Sequence, residues 1–200
     1  MNYIAHLHIA EHTNTSKLGN FLGDFVKGSD LTHLPEEIEL GIRLHRSVDK
    51  FTDSHDLIRN LKTQFPANIR RMAGVIIDIY FDHLLMKSWQ HYSAQSYHSL
   101  FSSFYTELKT FSLPDNHYYS QLSQRLLSHQ WLKEYTYEPT CFRAFVSIEK
   151  RLKRKVMFAT HAEFFIKQNR LLFINCFKQF YPELLRHGLH FKNNKTLSRT

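Results

Sequence analysis

The sequence predicts an all-α protein built as a single compact multi-helix domain. Three observations point there. Only 6 glycines and 5 prolines interrupt 200 residues, too few turn residues for a many-stranded sheet. Apolar residues recur at helical rather than alternating spacing through most of the chain. The prolines, at 35, 66, 114, 139 and 182, fall between these periodic stretches. A chain of this length can bury a substantial core. With 42% hydrophobic and 22% charged residues it has an ordinary globular composition.

The elements follow in order. His6 and His8 alternate, which reads as an extended segment with both imidazoles on one side. Residues 16–27 read as a helix, with Leu18, Phe21, Leu22, Phe25 and Val26 at helical spacing and Gly28 as the stop. Asp24 lies near its C-terminal end, where the helix dipole disfavours an anion and a bound cation would offset the cost. Pro35 opens the next helix, with Glu36 and Glu37 near its positive end, and the pattern runs to about residue 60. Pro66 opens a long helix to about residue 91, apolar nearly all round at its centre and therefore buried. Further helices are expected at about 96–111, 115–130, 138–154 and 156–180, with breaks at Pro114, Pro139 and Pro182. Phe101, Phe104, Tyr105, Leu108 and Phe111 form one core stripe. Phe158, Phe164, Phe165, Leu172, Phe173, Phe177 and Phe180 form another. The domain should span residues 1–191, followed by a polar, basic, frayed tail at 192–200.

Composition excludes several classes. Cys141 and Cys176 stand far apart in no motif, so neither a disulfide framework nor a thiolate zinc site is expected. The N-terminus lacks a basic region ahead of an apolar run, unlike a signal peptide, and no stretch is long and apolar enough for a membrane span. A cytoplasmic protein is the default. No aromatic-basic interleaving, zinc finger or nucleotide-binding glycine motif suggests nucleic acid. The net charge of +8 is uneven: residues 1–100 hold ten Lys/Arg against eleven Asp/Glu, and residues 101–200 hold sixteen against seven. The first part reads as a site, within residues 1–90. The second reads as a positive docking surface, within 101–191, whose field would speed encounter with an acidic partner.

Seven of the eight aspartates precede residue 83, many beside a histidine or one helical turn from another polar residue. His45, Asp49 and Asp53 follow at i, i+4 and i+8 on one helix face. They could hold a ion or form a solvated face paired with Arg43, Arg46 and Lys50. Asp78 and Asp82 stack one turn apart within the apolar helix, where carboxylates are costly unless paired or metal-bound. Such oxygen-rich sets with some imidazole suit Mn²⁺, Mg²⁺ or Fe²⁺. Arg46 beside the acidic face would suit a phosphate. Lys150, Arg151, Lys153, Arg154 and Lys155 form either a solvated helix end that complements the dipole or a contact for an acidic partner.

Four ordered blocks carry a resemblance: residues 1–10 (MNYIAHLHIA), 19–28 (GNFLGDFVKG), 41–53 (GIRLHRSVDKFTD) and 78–85 (DIYFDHLL). The chain closely resembles the bacterial acyl carrier protein phosphodiesterases, densely over residues 1–90 and more loosely to about residue 185. That family is regarded as a divergent branch of the HD phosphohydrolases, so the resemblance implies an HD-domain-like helical bundle and metal dependence, typically on Mn²⁺. The adjacent pair here is Asp82-His83, in the order Asp-His rather than His-Asp. The implied reaction is hydrolysis of the phosphodiester joining 4′-phosphopantetheine to a serine of holo-acyl carrier protein, a step connected with fatty acid biosynthesis. Asp24, His45, Asp78 and Asp82 become the expected metal ligands. His6, Asp49, Asp53 and His83 become outer ligands or acid/base groups, Arg46 the phosphate contact, and the basic second half the landing surface for the acidic carrier protein. The alternatives are a general HD-like phosphohydrolase acting on a nucleotide or other small phosphoester, and a non-catalytic basic helical binding module.

Overall fold

The computed structural model describes residues 2–113, 116–153 and 155–197. Pro114, Arg154, Met1 and the last three residues of the expected tail lie outside them. Eleven α-helices and two 3₁₀ turns make up the described chain, with no strand among the described residues.

The first helix is a departure from the extended reading. α1 (Tyr3–His12) buries every residue from Ile4 to Ala10. A segment apolar all round shows no amphipathic stripe, so its period is not legible. Its helical form turns His6 and His8 to different sides. His8 Nδ1 meets the Tyr181 hydroxyl at 2.7 Å, and its ring packs edge-on to Trp89. Burial lowers the His8 pKa to about 4, so the ring is neutral.

α2 (Lys17–Leu22) starts at Ser16, whose side chain accepts from the Gly19 amide at 2.9 Å. α3 (Glu36–Ser54) follows Pro35, and α4 (Asp56–Thr63) is separated from it by His55, whose extended backbone breaks what the pattern suggested was one helix. A 3₁₀ turn at Arg70–Met72 leads into α5 (Ala73–Lys87), and the short α6 (Trp89–Tyr92) follows. Next come α7 (Tyr97–Lys109), α8 (His117–His129), a second 3₁₀ turn at Trp131–Thr136, α9 (Glu138–Arg151) and α10 (Ala159–Gln168).

α11 (Arg170–Leu197) passes through Pro182 without breaking, contrary to expectation, and carries on into the stretch expected to fray. Pro182 and Lys178 both face solvent, so water can satisfy the carbonyl that proline leaves without an amide.

α1 is enclosed by α2, α5, α7 and α11, while α2 lies along α3. α11 packs across α3, α4 and α5. Aromatic rings fill the core: Phe81, Phe177 and Tyr181 in one cluster, Phe65, Phe165 and Phe173 in a second. Phe164, expected in the core, is 66% exposed, and Leu172 also reaches the surface.

Two glycines set the closest helix approach. A Cβ on Gly19 would lie 2.7 Å from the Ile38 carbonyl oxygen, and one on Gly41 would lie 2.8 Å from the Asn20 amide nitrogen. Only glycine lets α2 and α3 meet at this separation.

Asp82, expected as a metal ligand, is instead a structural cap. It is wholly buried, and its Oδ2 and Oδ1 accept from the Ile4 and Ala5 amides at 3.0 and 2.9 Å. These amides begin α1 and have no intrahelical partner. Burial raises the Asp82 pKa to about 7, against the downward pull of the two amides. Removing the carboxylate leaves two buried donors unmatched. Asp82→Ala should cost roughly 2–4 kcal/mol of unfolding free energy, read as a lower urea midpoint. An unchanged midpoint would show that the cap contributes nothing.

Candidate metal and phosphate site

The site forms where the α1, α2 and α3 segments converge. His6 from α1 and His45 from α3 stack with ring centroids 3.9 Å apart. Both rings are buried. Asp49, one turn beyond His45, approaches both: Oδ1 lies 3.1 Å from His6 Nε2 and Oδ2 lies 3.1 Å from His45 Nε2. Asp24, in the turn after α2, brings Oδ1 to 3.7 Å from the same His45 nitrogen. His6, His45 and Asp49 each offer a ligand atom within 4.8 Å of the others, and they are the one such group among the described residues.

The surrounding residues hold these groups in place. His6 Nδ1 lies 2.9 Å from Asn20 Oδ1 on α2. An oxygen can only accept, so His6 carries its proton on Nδ1 and presents a lone pair at Nε2. That lone pair faces an Asp49 carboxylate oxygen, an arrangement that a bound cation would satisfy. A proton is disfavoured, because burial, with the His45 ring second, lowers the His6 pKa to about 4. Burial pushes the Asp49 pKa up, but its contacts with the His45 and His6 rings outweigh this and hold the carboxyl ionised, far below its usual range. Two imidazoles and an ionised carboxylate therefore converge at one point. The donor set fits a divalent metal ion.

Gly23 gives His45 its space. A Cβ there would lie 2.2 Å from His45 Cγ, so the ring lies directly against the glycine backbone. His45 Nδ1 is buried and makes no hydrogen bond.

The open side of the group is a cavity of about 380 Å³ lined by Gly23, Asp24, Val26, Lys27, Gly28, His45, Arg46 and Asp49. Arg46 donates to the Gly28 and Val26 carbonyls at 2.7 and 2.9 Å, bracing the wall opposite the carboxylates. Lys27 donates to the Asp24 carbonyl at 2.9 Å. The cavity thus pairs two carboxylates and the His45 imidazole with two cations, an arrangement that could receive an anionic group.

Asp24, His45, Asp49, His6 and Arg46 come together as the sequence suggested, though His6 and Asp49 stand inside the ligand group rather than around it. Asp82 does not join them, for the reason given above. His83, expected as an outer ligand or acid/base group, lies outside this group, and its Nδ1 meets the Tyr135 carbonyl at 2.8 Å. Asp53 is exposed and pairs with Lys62 at 2.9 Å. Asp78 is partly buried and outside the ligand group; burial raises its pKa, and the nearby negative charge of Asp49 adds to the rise. Asn20, Gly23 and Lys27 were not singled out from sequence, although all three lie in the block 19–28 that carries the resemblance.

The family model for acyl carrier protein phosphodiesterase matches residues 1–184. The chain belongs to the acyl carrier protein phosphodiesterase family. Among relatives bearing that name, the Yersinia pestis protein is 32% identical over 195 residues, covering 95% of this chain and 98% of the relative. Those of Salmonella agona (strain SL483) and Salmonella dublin are each 34% identical over 136 residues, covering 68% of this chain and 70% of the relative. No solved structure matches the chain. All the converging residues of this acyl carrier protein phosphodiesterase family member, from His6 to Asp49, fall within the matched span.

Gly23→Ala should displace the His45 ring while leaving the helices intact. Mn²⁺ affinity, followed by the electron paramagnetic resonance of free Mn²⁺, should fall at least about tenfold with far-ultraviolet circular dichroism unchanged. Wild-type affinity in the variant would remove His45 from the ligand set.

Proposed function

We propose that the chain is a metal-dependent phosphodiesterase that hydrolyses the bond between 4′-phosphopantetheine and the serine of holo-acyl carrier protein, releasing apo-acyl carrier protein and 4′-phosphopantetheine. Family membership supports the substrate. The observation that carries the chemistry is the convergence of His6, His45 and Asp49 beside a cavity walled by Arg46 and Lys27.

His6, His45 and Asp49 would hold the ion, with Asp24 completing the set from the turn after α2. A bound Mn²⁺, or Mg²⁺ or Fe²⁺ in its place, lowers the pKa of water and neutralises phosphoryl charge. Asn20 keeps His6 in the tautomer that presents Nε2 to the ion. Arg46 and Lys27 orient the phosphodiester oxygens against the carboxylate side of the cavity. The HD-like character rests on this mixed imidazole and carboxylate set, in which the adjacent Asp82-His83 pair takes no part.

The basic second half supplies the landing surface. Lys150, Arg151, Lys153 and Lys155 are exposed at and just beyond the end of α9; Arg154 lies outside the described residues. No helix among the described residues is long and apolar enough to cross a membrane.

The deciding measurement is the intact mass of holo-acyl carrier protein after incubation with this protein and Mn²⁺, with an EDTA control. Loss of the 4′-phosphopantetheine mass only with metal is expected. No loss with folded protein across several divalent metals would refute the reading. Lys150→Glu with Lys153→Glu should raise KM for the carrier protein and flatten its salt dependence without lowering kcat. An unchanged KM would remove these residues from the landing surface.

A further inference from the structure

The basic helix end and the cavity are joined by a particular contact that the charge pattern does not reveal. The Arg151 guanidinium donates to the Tyr118 hydroxyl at 2.5 Å and lies 5.4 Å from the centre of the same ring. The Tyr118 ring packs on Phe25, with centroids 5.7 Å apart. Phe25 stands between Asp24 and Val26, both of which line the cavity. Asn116, which starts α8, donates from Nδ2 to the Phe25 carbonyl at 3.4 Å and so ties the same turn to α8. Beneath them, the Tyr3 phenol is held well above its usual range by burial and then by Tyr118, with Asp24 and Arg151 acting on it in opposite directions. Tyr3 therefore lies within electrostatic reach of both the ligand turn and the basic helix end.

Arg151 thus differs from Lys150, Lys153 and Lys155. Those three are exposed cations with no ion pair among the described residues, suited to long-range attraction. Arg151 is tied to the Tyr118 ring, which itself packs on Phe25 of the turn that carries Asp24. Its Nη2 and Nε make no hydrogen bond among the described residues and can receive a carboxylate in a fixed direction. Tyr118 is 44% exposed, so the pair stands at the surface rather than in the core.

We propose that Tyr118 is a positioning residue: by tying Arg151 to the turn that lines the cavity, it sets the register of the docked carrier protein, whose carboxylate Arg151 receives, so that the phosphodiester enters beside Asp24. This rests on the carrier-protein reading given above. The lysines raise the rate of encounter, and Arg151 on Tyr118 determines whether the encounter is productive. Specificity for a protein-borne phosphodiester over a small one would then come from this pair rather than from the metal group.

The test compares wild type, Tyr118→Phe, Arg151→Ala and the double variant on two substrates: holo-acyl carrier protein with Mn²⁺, and bis(4-nitrophenyl) phosphate under the same conditions. Tyr118→Phe keeps the ring on Phe25 and loses only the hydroxyl. Its kcat/KM for the carrier protein should fall about five- to twentyfold, while hydrolysis of the small ester stays within twofold. The double variant should be no worse than Arg151→Ala, because both changes remove the same contact. Binding of apo-carrier protein, measured by fluorescence anisotropy, should weaken in Tyr118→Phe and recover none of the loss at low salt. The proposal is overturned if Tyr118→Phe matches wild type on the carrier protein, if it slows both substrates equally, or if the two losses multiply. Wild type that cleaves the small ester but not the carrier protein would instead overturn the reading beneath it.

Discussion

The buried carboxylate of Asp82 is the constraint on which the site depends. It binds the first amides of α1 from the middle of α5, and so fixes how far along its own axis α1 sits. A helix rises about 1.5 Å per residue. A shift of α1 by one residue would carry His6 past Asp49 and Asn20 and turn its ring away. The carboxylate never approaches the ligand group, yet it determines that His6 belongs to it. This also explains why an ionisable group is tolerated in an apolar interior: it answers donors that have no other acceptor.

A second constraint acts from the other side. Gly19 and Gly41 bring α2 and α3 together at backbone contact, and Gly23 receives the His45 ring just beyond. Asn20 is carried on the same short helix, so one close crossing positions both the residue that selects the His6 tautomer and the surface against which His45 rests. The group of His6, His45 and Asp49 is therefore the meeting point of two helix contacts, one made by the Asp82 carboxylate and the other by glycines. The usual view of such a site, as a set of ligands placed on a neutral scaffold, misses how specific that scaffold is.

The fold class and much of the site were legible in the chain. Sparse glycine and proline, Pro35 as a helix start, and the i, i+4 pair His45 and Asp49 all depend on local rules, and all appear as read. Where the reading failed, the cause lay in contacts between distant segments. α1 is apolar on every side because it is surrounded, which erases the periodicity that would have marked it as a helix. Asp82 caps a helix 77 and 78 residues away in sequence, a partnership that no local cap pattern contains. The resemblance brings His83 to the site together with Asp82, but neighbours on a helix point about 100° apart, and these two meet different partners. Pro182 signals a break only when its surroundings cannot satisfy the carbonyl it orphans, and on α11 that carbonyl faces water.

Arg46 spends two of its donors on the carbonyls of Val26 and Gly28. The turn that carries Asp24 is thereby stapled to α3 by the same side chain that faces the cavity. Its shape exists before any ion or phosphate arrives, so ordering that turn takes nothing from the free energy of binding. The remaining guanidinium protons then point from a fixed origin, so in the proposed reaction this arginine would set the distance and angle of a phosphoryl group as well as supply a charge.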